Sequence, residues 1–187
     1  MKKIVLVLII SHLFLAFQCG TEEPCSAKII VKFKPQLITI ENLQPIYNVG
    51  DIIWFNSTLE RIQNFENPNE TIDLYSYPLD YAFGIQFIKS SIYNPEIFLC
   101  LNSTTTELST GNLNETLGCN LFVYEKIGNE LKCRIGVKLL EPGNYKMSVF
   151  NISTFRETGL NCNDTGLDIN TTFSNTNQQE INFTVEN

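Results

Sequence analysis

Between Leu131 and Leu139 every odd-numbered residue is apolar (Leu131, Cys133, Ile135, Val137, Leu139), and the even-numbered ones are Lys132, Arg134, Gly136 and Lys138. A strand turns successive side chains to opposite faces, so this run has one dry side and one wet side. A helix would scatter the same apolar residues around its whole surface. The alternation recurs at Ala27, Ile29, Val31 and Phe33, at Tyr81, Phe83, Ile85 and Phe87, and at Ile181, Phe183 and Val185. Further strands are expected at 37–40, 52–56, 96–100, 120–125 and 145–150. Leu59, Ile62 and Phe65 allow one helical turn before Pro68.

Turn chemistry separates these segments. Asn48-Val49-Gly50-Asp51 precedes one strand. Ile127-Gly128-Asn129-Glu130 predicts a hairpin between 120–126 and 131–139, and Glu141-Pro142-Gly143-Asn144 a second one, between 131–140 and 145–150. The 101–118 and 153–180 segments, rich in Asn, Thr and Gly, read as long loops. Eight or nine short strands in a chain of 187 residues predict a single all-β domain, an antiparallel, immunoglobulin-like β-sandwich.

The N-terminus has a different character. Lys2 and Lys3 precede an apolar run from Ile4 to Phe17, followed by polar Gln18. A charged start and an apolar stretch too short for a bilayer mark a secretory signal over 1–18. Residues 19–26 then form a tether and 27–187 the sandwich domain. Without the first 18 residues, eleven basic residues face twenty acidic ones, a net charge of −9. That balance opposes nucleic acid and anionic lipid surfaces as partners.

The lone histidine, His12, falls inside the signal, so the mature chain has none. Ser-His-Asp and Cys-His nucleophile systems and His-ligated zinc are excluded, no cofactor motif occurs, and no catalytic role is expected.

Six cysteines are present: Cys19, Cys25, Cys100, Cys119, Cys133 and Cys162. In an exported chain their default role is disulfides, and six allow fifteen pairings. The expected bridges are Cys100–Cys119, across the base of the 101–118 loop, and Cys133–Cys162.

Leu15-Ala16-Phe17-Gln18-Cys19 places a cysteine directly after the apolar run, and Gly20-Thr21-Glu22-Glu23 supplies a short acidic tag. This arrangement resembles the small uncharacterised surface lipoproteins of the Bacteroidetes type. The resemblance implies lipidation of Cys19, anchoring in the outer membrane or at the cell surface, and a binding role toward a protein or glycan. Gln18 and Ala16 depart from the small residue and the leucine usual at those positions. If Cys19 carries lipid, five cysteines remain and one is unpaired.

A second reading stays open, that of a secreted, N-glycosylated eukaryotic domain. Asn-X-Ser/Thr sequons begin at Asn56, Asn69, Asn102, Asn114, Asn151, Asn163, Asn170 and Asn182. Asn, Ser and Thr also share turns, which raises such coincidences.

A third reading is a carbohydrate-binding module. Trp54, Tyr75, Tyr77 and Tyr81 are candidates for a stacking platform, since flat rings pair with the apolar faces of sugars. The plainer reading makes Trp54 and Tyr81 core residues of strands. Asn161, Asn163, Asp164 and Asp168 place oxygen ligands at near-alternating positions, as a calcium loop does, but an acidic first ligand and a closing glutamate are missing.

Overall fold

The computed structural model describes residues 26–66, 69–90, 97–115 and 119–187. The signal segment, Cys19 and Cys25 lie outside them. In chain order the described residues form β1 (Lys28–Phe33), β2 (Thr39–Glu41), β3 (Ile46–Asn48), β4 (Ile52–Glu60), β5 (Ile62–Glu66), β6 (Asn69–Asp73), β7 (Asp80–Lys89) and β8 (Ile97–Leu99). There follow β9 (Thr106–Thr110), β10 (Asn112–Asn114), β11 (Leu121–Val123), β12 (Glu125–Ile127), β13 (Glu130–Lys138), β14 (Gly143–Phe155), β15 (Thr165–Asn170) and β16 (Glu180–Glu186). No helix among them is long and apolar enough to cross a membrane.

The architecture is an all-β sandwich. A nine-stranded sheet runs β1-β15-β14-β7-β11-β10, with β16 and β8 joined to β14 and β7 and β3 joined to β16. A five-stranded sheet runs β12-β13-β4-β2, with β9 on β13, and β5-β6 form a separate hairpin. Aromatic rings bridge the layers. Phe55 of β4 meets Phe87 of β7 edge-on at 5.9 Å, and Phe83 of β7 lies 5.4 Å from Tyr124. Tyr81, at the start of β7, is buried and its hydroxyl donates to the Leu74 carbonyl at 2.9 Å. That is the arrangement called a tyrosine corner in immunoglobulin-like sandwiches.

Several expectations need correction. The described strands number sixteen, more than the eight or nine expected, and two pairings, β1–β15 and β16–β3, are parallel. The Leu59–Phe65 segment is strand, not helix. The hairpin register centred between Gly128 and Asn129 is realised, with Glu125 opposite Lys132 and Ile127 opposite Glu130. The strand entering it, however, breaks at Tyr124. Residues 121–123 pair with β7 in one sheet and residues 125–127 with β13 in the other. The Glu141–Asn144 turn likewise carries the chain between sheets, because β13 and β14 belong to different layers. The 101–118 segment contains β9 and β10, and the 153–180 segment contains β15.

The largest difference is in β1, where Ile29, Val31 and Phe33 are 46%, 58% and 59% exposed while Lys32 is 7% exposed. The cause is register. Lys32 pairs with Ile169 and Val31 with Asp168. Ile169 faces the core, so the odd residues of β1 point out, and a one-residue difference in register exchanges the two faces of a strand. The Lys32 stem is buried and its ammonium pairs with Glu70.

Burial has a consequence at alkaline pH. Tyr81, Tyr124 and Cys133 are held in the core in neutral form, and desolvation raises all three pKa values, that of the Cys133 thiol to about 12. The unfolded chain ionises first, its thiol near pH 8.5. The stability these groups contribute is therefore complete below about pH 8.5 and is lost as pH rises from there through the folded pKa values. Urea midpoints are expected to fall steadily between pH 8 and 11, and constant midpoints would contradict this.

Candidate functional site

The outer face of the nine-stranded sheet offers the most ligand-like surface among the described residues. The pairing register aligns its side chains in rows. Val31, Asp168, Ser153 and Ala82 stand side by side on β1, β15, β14 and β7. Phe33 stands beside Asn170 in the neighbouring row.

A β-bulge interrupts β14 between Val149 and Ile152, where three residue steps on β14 oppose two on β7. The bulge leaves Phe150 and Asn151 together on the outer face, as such insertions commonly re-aim a side chain. Its ring lies over Gly84, where any Cβ would come within 2.9 Å of Phe150 Cδ2. The glycine thus lets the ring lie close to the sheet, while the side chain stays 51% exposed.

Beside the ring, the Asp168 carboxylate accepts from Asn151 Nδ2 at 3.0 Å and from Ser153 Oγ at 2.7 Å. Asn151 and Ser153, with Phe150, Gln86, Ser148 and Glu180, line an open groove of about 500 Å³ over β7 and β14, a size suited to a small ligand, while Asp168 stands on β15, on the other side of β14. The sequence reading missed this groove. Tyr145, Met147 and Val149 face the core, so alternation already places Phe150 outward, an apolar residue where a polar one is usual; the bulge then adds Asn151 to the same face, which no local pattern announces.

The proposed aromatic platform is not assembled. Tyr81 is in the core, as the plainer reading had it. Trp54 lies instead on the outer face of the five-stranded sheet, with the Arg134 guanidinium 4.0 Å from its ring centre. Arg134 in turn forks onto Glu41 at 2.8 and 2.6 Å and holds that carboxyl below its ordinary pKa. This stack ties edge strand β2 to β13 and covers one face of the indole. Tyr75 donates its hydroxyl toward the Gly128 and Glu130 carbonyls, with Arg61 and Lys126 near its ring. Tyr77 is partly buried elsewhere, its hydroxyl pKa raised chiefly by desolvation.

The oxygen-rich 161–168 segment is also divided. Asp164 turns to the Asn161 amide and to Arg156, whereas Asp168 belongs to the outer-face cluster. Among the described residues no three His, Cys, Asp or Glu side chains gather as a metal site.

The cysteines follow the expectation in one case and overturn it in the other. Cys100–Cys119 is a disulfide. It closes the excursion in which the chain leaves β8, visits the five-stranded sheet as β9, and returns through β10 to β11. Cys133 is a free thiol in the core, 0% exposed, and Cys162 is bridged to another cysteine. The expected Cys133–Cys162 bridge is therefore wrong. The alternation that identified β13 places Cys133 on its buried face, packed beneath Gly111.

Of the sequon asparagines, Asn56, Asn69, Asn102, Asn163 and Asn182 are exposed, whereas Asn114 is buried.

No protein-family model and no curated protein matches the chain. Among solved structures, it is similar to a Pseudomonas fluorescens alkylpurine DNA glycosylase bound to DNA containing an abasic site analog. The TM-score is 0.30 at 10% identity, over 73% of this chain and 31% of the glycosylase chain. That neighbour is an enzyme, contrary to the expectation of no catalytic role built on the missing histidine, but a likeness this low carries no argument about the activity or ligand of this chain.

Proposed function

We propose that the chain is a lipid-anchored protein of the cell envelope, held through Cys19, whose β-sandwich is displayed for binding a protein or glycan partner. The observation that carries this reading is the parity of the cysteines. Cys100 and Cys119 pair with each other, and Cys133 is a buried thiol. Cys162 is bridged, and on this reading its partner is one of the two cysteines outside the described residues, Cys19 and Cys25. One of those two is then left over. A lipidated Cys19 accounts for it, with Cys25 bridged to Cys162 and Cys133 as the single unpaired thiol of the remaining five.

The reading predicts that labelled palmitate enters the wild-type protein and that Cys19→Ala abolishes incorporation; incorporation persisting in the variant refutes it. It also predicts a thiol count. The native protein is expected to show no thiol to an aromatic disulfide reagent, and the denatured protein one, Cys133. One reactive thiol in the native state would show that Cys19 or Cys25 is free.

The secreted glycoprotein reading draws support from the five exposed sequon asparagines. It requires native protein to lose mass on endoglycosidase treatment, and an unchanged mass eliminates it.

A further inference from the structure

We infer that the outer face of the nine-stranded sheet binds an uncharged glycan chain, laid across β1, β15 and β14 between Phe33 and Phe150. This names a ligand class for the display role proposed above and rests on that reading.

Three features of the face select the ligand. First, two exposed phenyl rings flank a polar lane. Phe33 lies on β1 and Phe150 on β14, two strand spacings apart, roughly 10 Å. Pyranose rings present flat C–H faces that stack on such aromatics and shed water in doing so. Second, the lane between them carries Asp168, Asn151, Ser153 and Asn170. Asp168 and Asn151 already fix each other's orientation, and Asp168 also takes the Ser153 hydroxyl. A carboxylate and an amide held by a mutual hydrogen bond suit paired sugar hydroxyls, because an oriented polar group loses little rotational freedom on binding. Third, the charged group in the lane is the Asp168 carboxylate, and the adjoining groove over β7 and β14, next to Phe150, includes Glu180 and has no Lys or Arg in its lining. With a mature charge of −9 the face opposes sulfated or uronic acid chains, while its density of polar groups disfavours an apolar peptide.

The test is affinity electrophoresis of the native mature protein, in detergent, through gels containing a β-1,3-glucan, a β-mannan, a xylan or an α-glucan. The expected result is retardation by at least one polymer, with affinity at least tenfold weaker in both Phe150→Ala and Phe33→Ala. Trp54→Ala, on the opposite sheet, is expected to bind as wild type. Gly84→Ala provides a second variant that keeps the ring but displaces it, and it too is expected to weaken retardation.

Absence of retardation by every polymer would overturn the inference, as would retardation undiminished by Phe150→Ala. Self-association lost in Phe33→Ala, with no glycan bound, would overturn it in favour of a second copy pairing along β1. None of these outcomes depends on the lipid, so a negative result leaves the anchor to be decided by palmitate labelling.

Discussion

Phe55→Ala is expected to lower the free energy of unfolding by about 3–5 kcal/mol, the usual cost of deleting a fully buried phenyl ring. Phe55 is 0% exposed on β4, between Ile40 of β2 and Ile135 of β13. Its ring reaches across the sandwich to Phe87 at 5.9 Å and lies 6.4 Å from Phe173. Truncation therefore removes a contact between the sheets and leaves a void that rigid strands on both sides close only partly. Equilibrium denaturation is expected to show a lower midpoint at unchanged slope. A loss below about 1 kcal/mol would mean that the layers do not pack through this ring. Phe150→Ala is the contrast. Its side chain is largely outside the core, and its loss is expected to cost under about 1 kcal/mol while acting on binding.

Asn120→Ala is expected to cost a comparable amount, about 3–5 kcal/mol, for a different reason. Asn120 is 2% exposed and sits in the left-handed region, at φ 67°. Its side-chain oxygen accepts from the Leu101 amide at 2.6 Å, and its amide donates to the Leu99 carbonyl at 2.8 Å. One side chain thus stands in for a strand partner where β8 ends and β11 begins. Alanine would strand two buried backbone groups at about 1–3 kcal/mol each and keep the Cβ in a conformation that costs about 1 kcal/mol more. Asn120→Gly relieves the backbone but not the bonds, and its loss should be smaller than that of Asn120→Ala. Asn175 makes the same pair of bonds to Ile40, but from an exposed position. Water can take up those bonds, so Asn175→Ala is expected to cost only about 1 kcal/mol. Equal losses at the two sites would contradict this account.

The layered fold was legible because its signal is local. The alternation at 131–139 marked β13 and placed Cys133 inward, and the preceding Ile127–Glu130 turn fixed the register of the β12–β13 hairpin. Sheet membership was not legible. Nothing in Leu121–Ile127 announces that Tyr124 ends one pairing and starts another, because both halves keep an apolar inward face. β1 was misread for a related reason. Its Ile29, Val31 and Phe33 alternate with Lys28 and Lys32, broken by Ile30 on the lysine side, but its inward face is set by the partner β15 and by Glu70, 38 residues from Lys32, which receives the Lys32 ammonium. The outer-face groove was hidden because it depends on a bulge that keeps Phe150 and Asn151 on one face and on a glycine opposite the ring, and the polar cluster beside it because it draws an aspartate to two residues of another strand. The Cys100–Cys119 bridge was legible as the clip at the base of the 101–118 loop, whereas the partner of Cys162 depended on which face Cys133 occupies.

The central claim, an exported sandwich held to a membrane by its first mature cysteine, is tested most directly by mass spectrometric peptide mapping of the native mature protein without reduction. The account predicts an N-terminal peptide beginning at Cys19 and carrying acyl chains, a Cys25–Cys162 cross-linked pair and a Cys100–Cys119 pair. A Cys19–Cys162 pair, or an N-terminal peptide still containing residues 1–18, would contradict it.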